Sequence, residues 1–217
     1  MLLHKLDCLL YITRAGFNFF SKDFQDGLVL TVPNNVIKDL EIISKDKLKE
    51  QIELFLTEHK LQSTKTIMVL SDDVLFIKTV SLDLLQQEKE IREFLDKVPF
   101  DHEELVYELK AELESMSVVA TNSDLYLTIK NIFESKGWSI EMIVPDVGEV
   151  PNATNWQNVL VKALELKQYN FLINKRNVGD FLNYSPTDSR HNRTLPIIIA
   201  VFLLIAIILI LVVFFTF

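Results

Sequence analysis

The apolar positions in the first third of the chain come in short runs punctuated by turn residues. Residues 5–13, 17–21 and 28–32 are rich in Leu, Ile, Val and Phe. Ala15-Gly16 and Gln25-Asp26-Gly27 separate them, so the pattern predicts three strands. Residues 40–43 are a fourth candidate. From Ser44 the period changes. Leu48, Ile52, Phe55 and Leu56 recur at helical spacing, predicting a helix capped by Ser44 and running to about residue 60. Residues 66–70 and 74–80 predict β-branched strands around Ser71-Asp72-Asp73. A helix over about 86–97 follows, with Ile91, Phe94, Leu95 and then Val98 on one side. Pro99 ends it, because the residue before proline avoids the helical region. Residues 104–110 and 116–120 predict strands. Asn122 or Ser123 caps a third helix carrying Leu125, Ile129, Ile132 and Phe133, and Gly137 stands where a left-handed C-terminal cap belongs. Residues 138–144 predict a strand and 156–166 a fourth helix. Strands alternating with helices imply an α+β or α/β domain over residues 1–182.

The pattern then changes twice. Residues 183–194 form a polar linker with one proline. Residues 195–217 are apolar at every position except Pro196 and Thr216. As a helix this run measures roughly 34 Å, enough to cross a hydrocarbon core of about 30 Å. It predicts a transmembrane anchor from Leu195 through Ile205 to Phe217. Lys175, Arg176, Arg190 and Arg193 lie on its N-terminal side, which places residues 1–194 in the cytoplasm and Arg190 and Arg193 at the headgroups. No small-xxx-small face is present to pair such helices tightly. Either the chain is tail-anchored or a longer protein emerges on the far side.

Composition sharpens this division. The 217 residues have a mean hydropathy of +0.21, an average of an ordinary acidic domain and an apolar tail. Apolar content of 49% excludes a disordered chain. Cys8 is the single cysteine, which excludes a disulfide scaffold. A net charge of −8 argues against nucleic acid, whose phosphates require clustered Lys and Arg. Lys5 and Asp7 interrupt the N-terminal apolar residues, so no signal-peptide core is expected.

Candidate chemistry is sparse. His4, His59, His102 and His191 have no ligand spacing. Asp101-His102-Glu103-Glu104 reads as a charged loop before it reads as a metal cluster. No phosphate-loop, dinucleotide or nucleophile-elbow motif occurs, and five glycines leave little for a phosphate cradle. Asp146-Val147-Gly148 is a lone D-x-G, either an ordinary turn or a phosphate contact. Cys8 sits in an apolar run as a buried thiol. No catalytic residue, cofactor or metal site is expected, and the chain is not expected to be an enzyme.

Two stretches resemble the actin-like cytoplasmic component of type IV pilus assembly and its relative, the L protein of type II secretion. The first is residues 88–100, ending Val98-Pro99-Phe100, with Glu103-Glu104-Leu105-Val106-Tyr107-Glu108 after it. The second runs from Val118-Val119-Ala120 through Tyr126, Ile132-Phe133 and Gly137-Trp138 to Val144-Pro145-Asp146. Val69-Leu70-Ser71 and Phe76-Ile77 to Val80-Ser81-Leu82 are similar to the preceding strand pair, so the likeness covers residues 28–146. The resemblance implies a reduced actin-like (ribonuclease H-like) domain with an inserted small α/β subdomain. It departs from the family where a nucleotide would bind: Tyr11-Ile12-Thr13-Arg14-Ala15-Gly16 has no Asp in the first hairpin, and no ATP site is carried over. Partners of that platform carry an Ile-Asn-Leu-Leu-Pro-like peptide shortly before their membrane helix. Asn170, Phe171 and Leu172 are either such a partner-docking peptide or an edge strand.

The expected function is a membrane-anchored cytoplasmic scaffold of a pilus or type II secretion-like platform in the bacterial inner membrane. Its expected partners are other platform proteins and the lipid bilayer, with room for an oligomer. The alternatives are an ATP-binding actin-like regulator using Asp146 and Gly148, and an unrelated tail-anchored protein.

Overall fold

The computed structural model describes residues 8–111, 115–146, 156–172 and 176–178. The linker, Arg190, Arg193 and the apolar run with Leu195, Ile205 and Phe217 lie outside the described residues, as do Val147 and Gly148. Among the described residues no helix is long and apolar enough to cross a membrane.

Strands β1 (Cys8–Thr13), β2 (Gly16–Ser21) and β3 (Leu28–Thr31) form an antiparallel meander. Strands β6 (Lys65–Leu70) and β10 (Ser139–Pro145) add to it in parallel, giving the order β10-β6-β1-β2-β3. A second, antiparallel sheet runs β11-β8-β9-β7, from β7 (Phe76–Val80), β8 (Leu105–Ala111), β9 (Met116–Asn122) and β11 (Arg176–Asn177). The fold is mixed α/β.

Helix α1 (Lys45–Glu58) starts where the pattern predicts, with the Ser44 hydroxyl accepting from the Lys47 N–H. Helix α3 (Ser123–Ser135) is capped by Asn122, whose Oδ1 accepts from Asp124 N–H at 2.8 Å. Its far end is a Schellman motif: Trp138 N–H donates to the Phe133 carbonyl and Gly137 N–H to Glu134. Gly137 takes φ +84°, the left-handed conformation this cap needs. The Phe133 and Trp138 rings meet edge-on at 5.5 Å.

One face of the first sheet carries Leu10, Ile12, Phe17, Phe19, Met68 and Ile143 against α1 and α3. The other carries Leu9, Phe20, Ile67, Val69 and Val144 against Leu160 and Ala163 of α4 (Trp156–Glu165). Burial on both faces explains why β1 and β6 read as unbroken apolar runs rather than as alternating ones.

Several boundaries differ from expectation. Residues 40–43 are not one strand: β4 (Ile37–Lys38) and β5 (Glu41–Ile42) make a hairpin turned by Asp39 and Leu40 at φ +50° and +70°. Leu40 tolerates that conformation because its side chain is buried in the core. Residues 72–74 form a 3-10 turn, so the following strand starts at Phe76. Helix α2 (Leu84–Leu95) ends in tight turns two residues earlier than predicted, ahead of Pro99.

Candidate functional site

In sheets with parallel strands, ligands bind outside the carboxyl ends of those strands. Here the carboxyl ends of β1, β6 and β10 bring together Tyr11, Arg14, Ser71, Asp73 and Asp146. Asp146 is 3% exposed. Its backbone N–H donates to the Leu70 carbonyl at 2.7 Å, and Ser71 N–H donates to the Ile12 carbonyl at 2.9 Å. The three strand ends are thereby laced together.

The side chains complete the closure. The Tyr11 hydroxyl donates to Asp146 Oδ2 at 2.7 Å. Burial, then this bond to Asp146, raises the Tyr11 hydroxyl far above its ordinary range, so it stays a proton-bearing donor. The Ser71 hydroxyl donates to Asp73 Oδ1, whose other oxygen accepts the Arg14 backbone N–H at 3.0 Å. Asp72 and Asp73 add negative potential at the same edge. Phosphate binding needs backbone donors and positive charge. Among the described residues this crevice presents two carboxylates, and their hydrogen bonds come from Tyr11, Ser71 and the Arg14 backbone N–H; of the Asp146-Val147-Gly148 turn only Asp146 is described.

Of the residues singled out in sequence, Asp146 reaches this crevice, and so do Tyr11 and Arg14 of the first hairpin, noted there for its lack of an Asp. Tyr11, Ser71 and Asp73 were missed as a group. The one available signal was a tyrosine near the end of an otherwise apolar run. The 101–104 segment forms a turn, with His102 Nε2 3.7 Å from Asp96 Oδ1, and among the described residues no group of His, Cys, Asp and Glu could hold a metal. Cys8 is buried.

The Asn170–Leu172 segment is not an edge strand. It follows a 3-10 turn, Leu166–Tyr169, and lies against the outer edge of β10. Asn170 Oδ1 accepts the Ile143 N–H at 3.0 Å and the Leu172 N–H at 3.1 Å. Phe171 N–H donates to the Ile143 carbonyl at 2.8 Å. The amide side chain thus stands in for a strand carbonyl, while the Phe171 ring is wholly buried beside Tyr126, 6.1 Å between centroids. Asn170 and Phe171 are engaged within the domain itself; Leu172 alone of the three is partly exposed.

No family model matches the chain, and no curated protein matches it. Among solved structures it is similar to a PilM-PilN type IV pilus biogenesis complex, with 13% identity over 63% of this chain and 46% of that one, TM-score 0.44. It is also similar to the cytoplasmic domain of EpsL, an inner membrane component of the type II secretion system of Vibrio cholerae. There the identity is 15% over 67% of this chain and 59% of that one, TM-score 0.40. A third is a Bacteroides thetaiotaomicron protein of actin-like ATPase fold and unknown function, 10% identical over 58% of this chain and 48% of that one, TM-score 0.33. The chain spans about half the length of these structures.

Proposed function

We propose that this chain is a membrane-anchored scaffold of a pilus-assembly or type II secretion-like platform, working by protein–protein contacts and not by catalysis. The observation that carries the reading is the strand-end crevice. In the place where an α/β domain would hold a ligand, Tyr11, Ser71 and the Arg14 N–H satisfy Asp146 and Asp73 from within. The apolar run at 195–217 supports the anchor. The Val98-Pro99-Phe100 and Val118–Ala120 stretches that resemble the pilus and secretion family support the platform. In this reading the domain is a reduced actin-like unit on the cytoplasmic side of the inner membrane.

Two measurements test it. In-cell cross-linking of the full chain should capture platform membrane proteins of the same machine, and their absence among the linked chains overturns the placement. Mg-ATP should leave the melting temperature of the full chain in detergent unchanged within about 1 °C. A rise of several degrees would mean saturable binding to the folded state and would favour the nucleotide-binding regulator instead.

A further inference from the structure

At the amino ends of β1 and β6 lies a cleft of about 540 Å³. One wall is the turn that follows β2, with Lys22, Asp23 and Phe24. The other is the segment 60–64 that leads into β6. Cys8, the first residue of β1, lines the cleft as well. The chain therefore enters β1 through this cleft.

The register of β1 fixes where the preceding residues would run. Cys8 stands beside Thr66 and Leu9 beside Ile67, in parallel. One step back sets Asp7 beside Lys65, the first residue of β6, and two steps back set Leu6 beside Thr64. On the other flank Cys8 stands opposite Ser21, so Asp7 comes next to Lys22. Side chains alternate between the faces of a strand. Cys8 and Leu10 belong to the core under α1 and α3, and the half-buried Phe24 and Leu61 pack against that same core. Leu6 shares this face. Asp7 shares the opposite face with Leu9 and Ile67, and hence with Lys65, two residues before Ile67.

We infer that Leu6 and Asp7 continue β1 into this cleft, which is thereby a seat for the chain's own N-terminal residues, with Asp7 held between Lys22 and Lys65.

Charge and attachment select this occupant. Among the residues lining the cleft the charged ones are Lys22, Lys60 and Asp23, so a carboxylate is favoured there. Lys65 reaches Glu141 of β10 at 3.1 Å on its far side, and Asp7 supplies a matching carboxylate on its near side. Leu6 brings an apolar side chain to Phe24 and Leu61. Because the segment is joined to Cys8, its effective concentration at the cleft is on the order of millimolar or higher, ahead of any separate chain. Asp7 thus ties the end of β2 to the start of β6.

The test uses the full chain in detergent micelles with Cys8→Ala as background. Neighbouring residues in register on adjacent strands lie about 4.8 Å apart, within the Cα range of a disulfide. An offset of two residues adds about 6.6 Å along the strand and takes the pair out of that range. Leu6→Cys with Thr64→Cys should therefore give at least fivefold more intramolecular disulfide than Leu6→Cys with Thr66→Cys under the same mild oxidant, read as loss of free thiol. Adding Asp7→Lys should cut the first yield at least threefold with unchanged circular dichroism. Equal linking to 64 and 66, no linking to 64, or indifference to Asp7→Lys overturns the inference. If a two-cysteine form does not fold, hydrogen exchange on the unaltered chain decides. The Leu6 amide should exchange at least tenfold more slowly than in the urea-unfolded chain under matched conditions, and exchange at the unfolded rate overturns the inference as well.

Discussion

Removing the Asn170 side chain should destabilise the domain, because that amide does the work of a missing strand. Asn170→Ala leaves the Ile143 N–H without its acceptor at 3.0 Å and the Leu172 N–H without its acceptor at 3.1 Å. Ile143 is fully buried and Asn170 is 3% exposed, so water does not replace the bond to the Ile143 N–H in place. A buried donor left unsatisfied costs about 1–3 kcal/mol. The Leu172 N–H is less enclosed and adds less, which sets the expected loss near 2 kcal/mol. For a domain of this size each kcal/mol moves the melting temperature by about 2–4 °C, so a fall of about 4–8 °C is expected. Urea unfolding of the full chain in micelles, followed by the buried Trp138, measures the energy. Hydrogen exchange at the Ile143 amide measures the cause. A loss below about 0.5 kcal/mol with that amide still protected would refute the reasoning. It would return Asn170 to the role of a side chain held out for a partner.

Two further predictions concern the backbone and a buried acid. Gly16 has φ +144°, and a Cβ there would lie 2.0 Å from the Leu30 carbonyl oxygen; Gly16→Ala should cost at least about 2 kcal/mol in urea unfolding, and a neutral result would mean that β2 and β3 are less closely laced than their register implies. Glu108 is 8% exposed, and one of its carboxylate oxygens has no hydrogen-bond partner. Burial raises its carboxyl above the ordinary value of 4.5, against smaller opposing effects of the Leu109 N–H and Arg176. A group raised in the folded state stabilises fully below its unfolded value and loses that contribution as pH climbs through the folded one. Glu108→Gln stays neutral throughout. It should therefore be more stable than the parent chain at pH 7, with the gain shrinking to nothing at about pH 4. An equal gain at both pH values in urea midpoints would refute that assignment.

What the sequence disclosed was whatever depends on near neighbours. Ser44 and Asn122 cap helices because a short polar side chain reaches an N–H two or three residues on. Gly137 closes α3 because only glycine takes a left-handed turn without strain. The helical spacing of Leu48, Ile52, Phe55 and Leu56 is equally local. The expectation of a membrane anchor at 195–217 is of the same local kind, since insertion depends on hydropathy summed along one helix, and it falls outside the described residues.

Tertiary structure decided the rest. Leu40 gave no sign of being a turn residue. It holds a positive φ only because the core receives its side chain and the carbonyl accepts from Asn122, 82 residues away, at 3.4 Å. Tyr11 and Asp146 stand 135 residues apart and meet because β1, β6 and β10 run parallel. No spacing rule announces that meeting, since the crossovers between parallel strands set it. Asn170-Phe171 shows the limit most plainly. As a peptide before an apolar tail it reads equally as a docking motif and as an edge strand. Only the position of β10 turned its amide inward and made it the cap of the sheet. Hydrogen-bond demand at a sheet edge arises when the sheet is assembled, so it is visible in the fold and not along the chain.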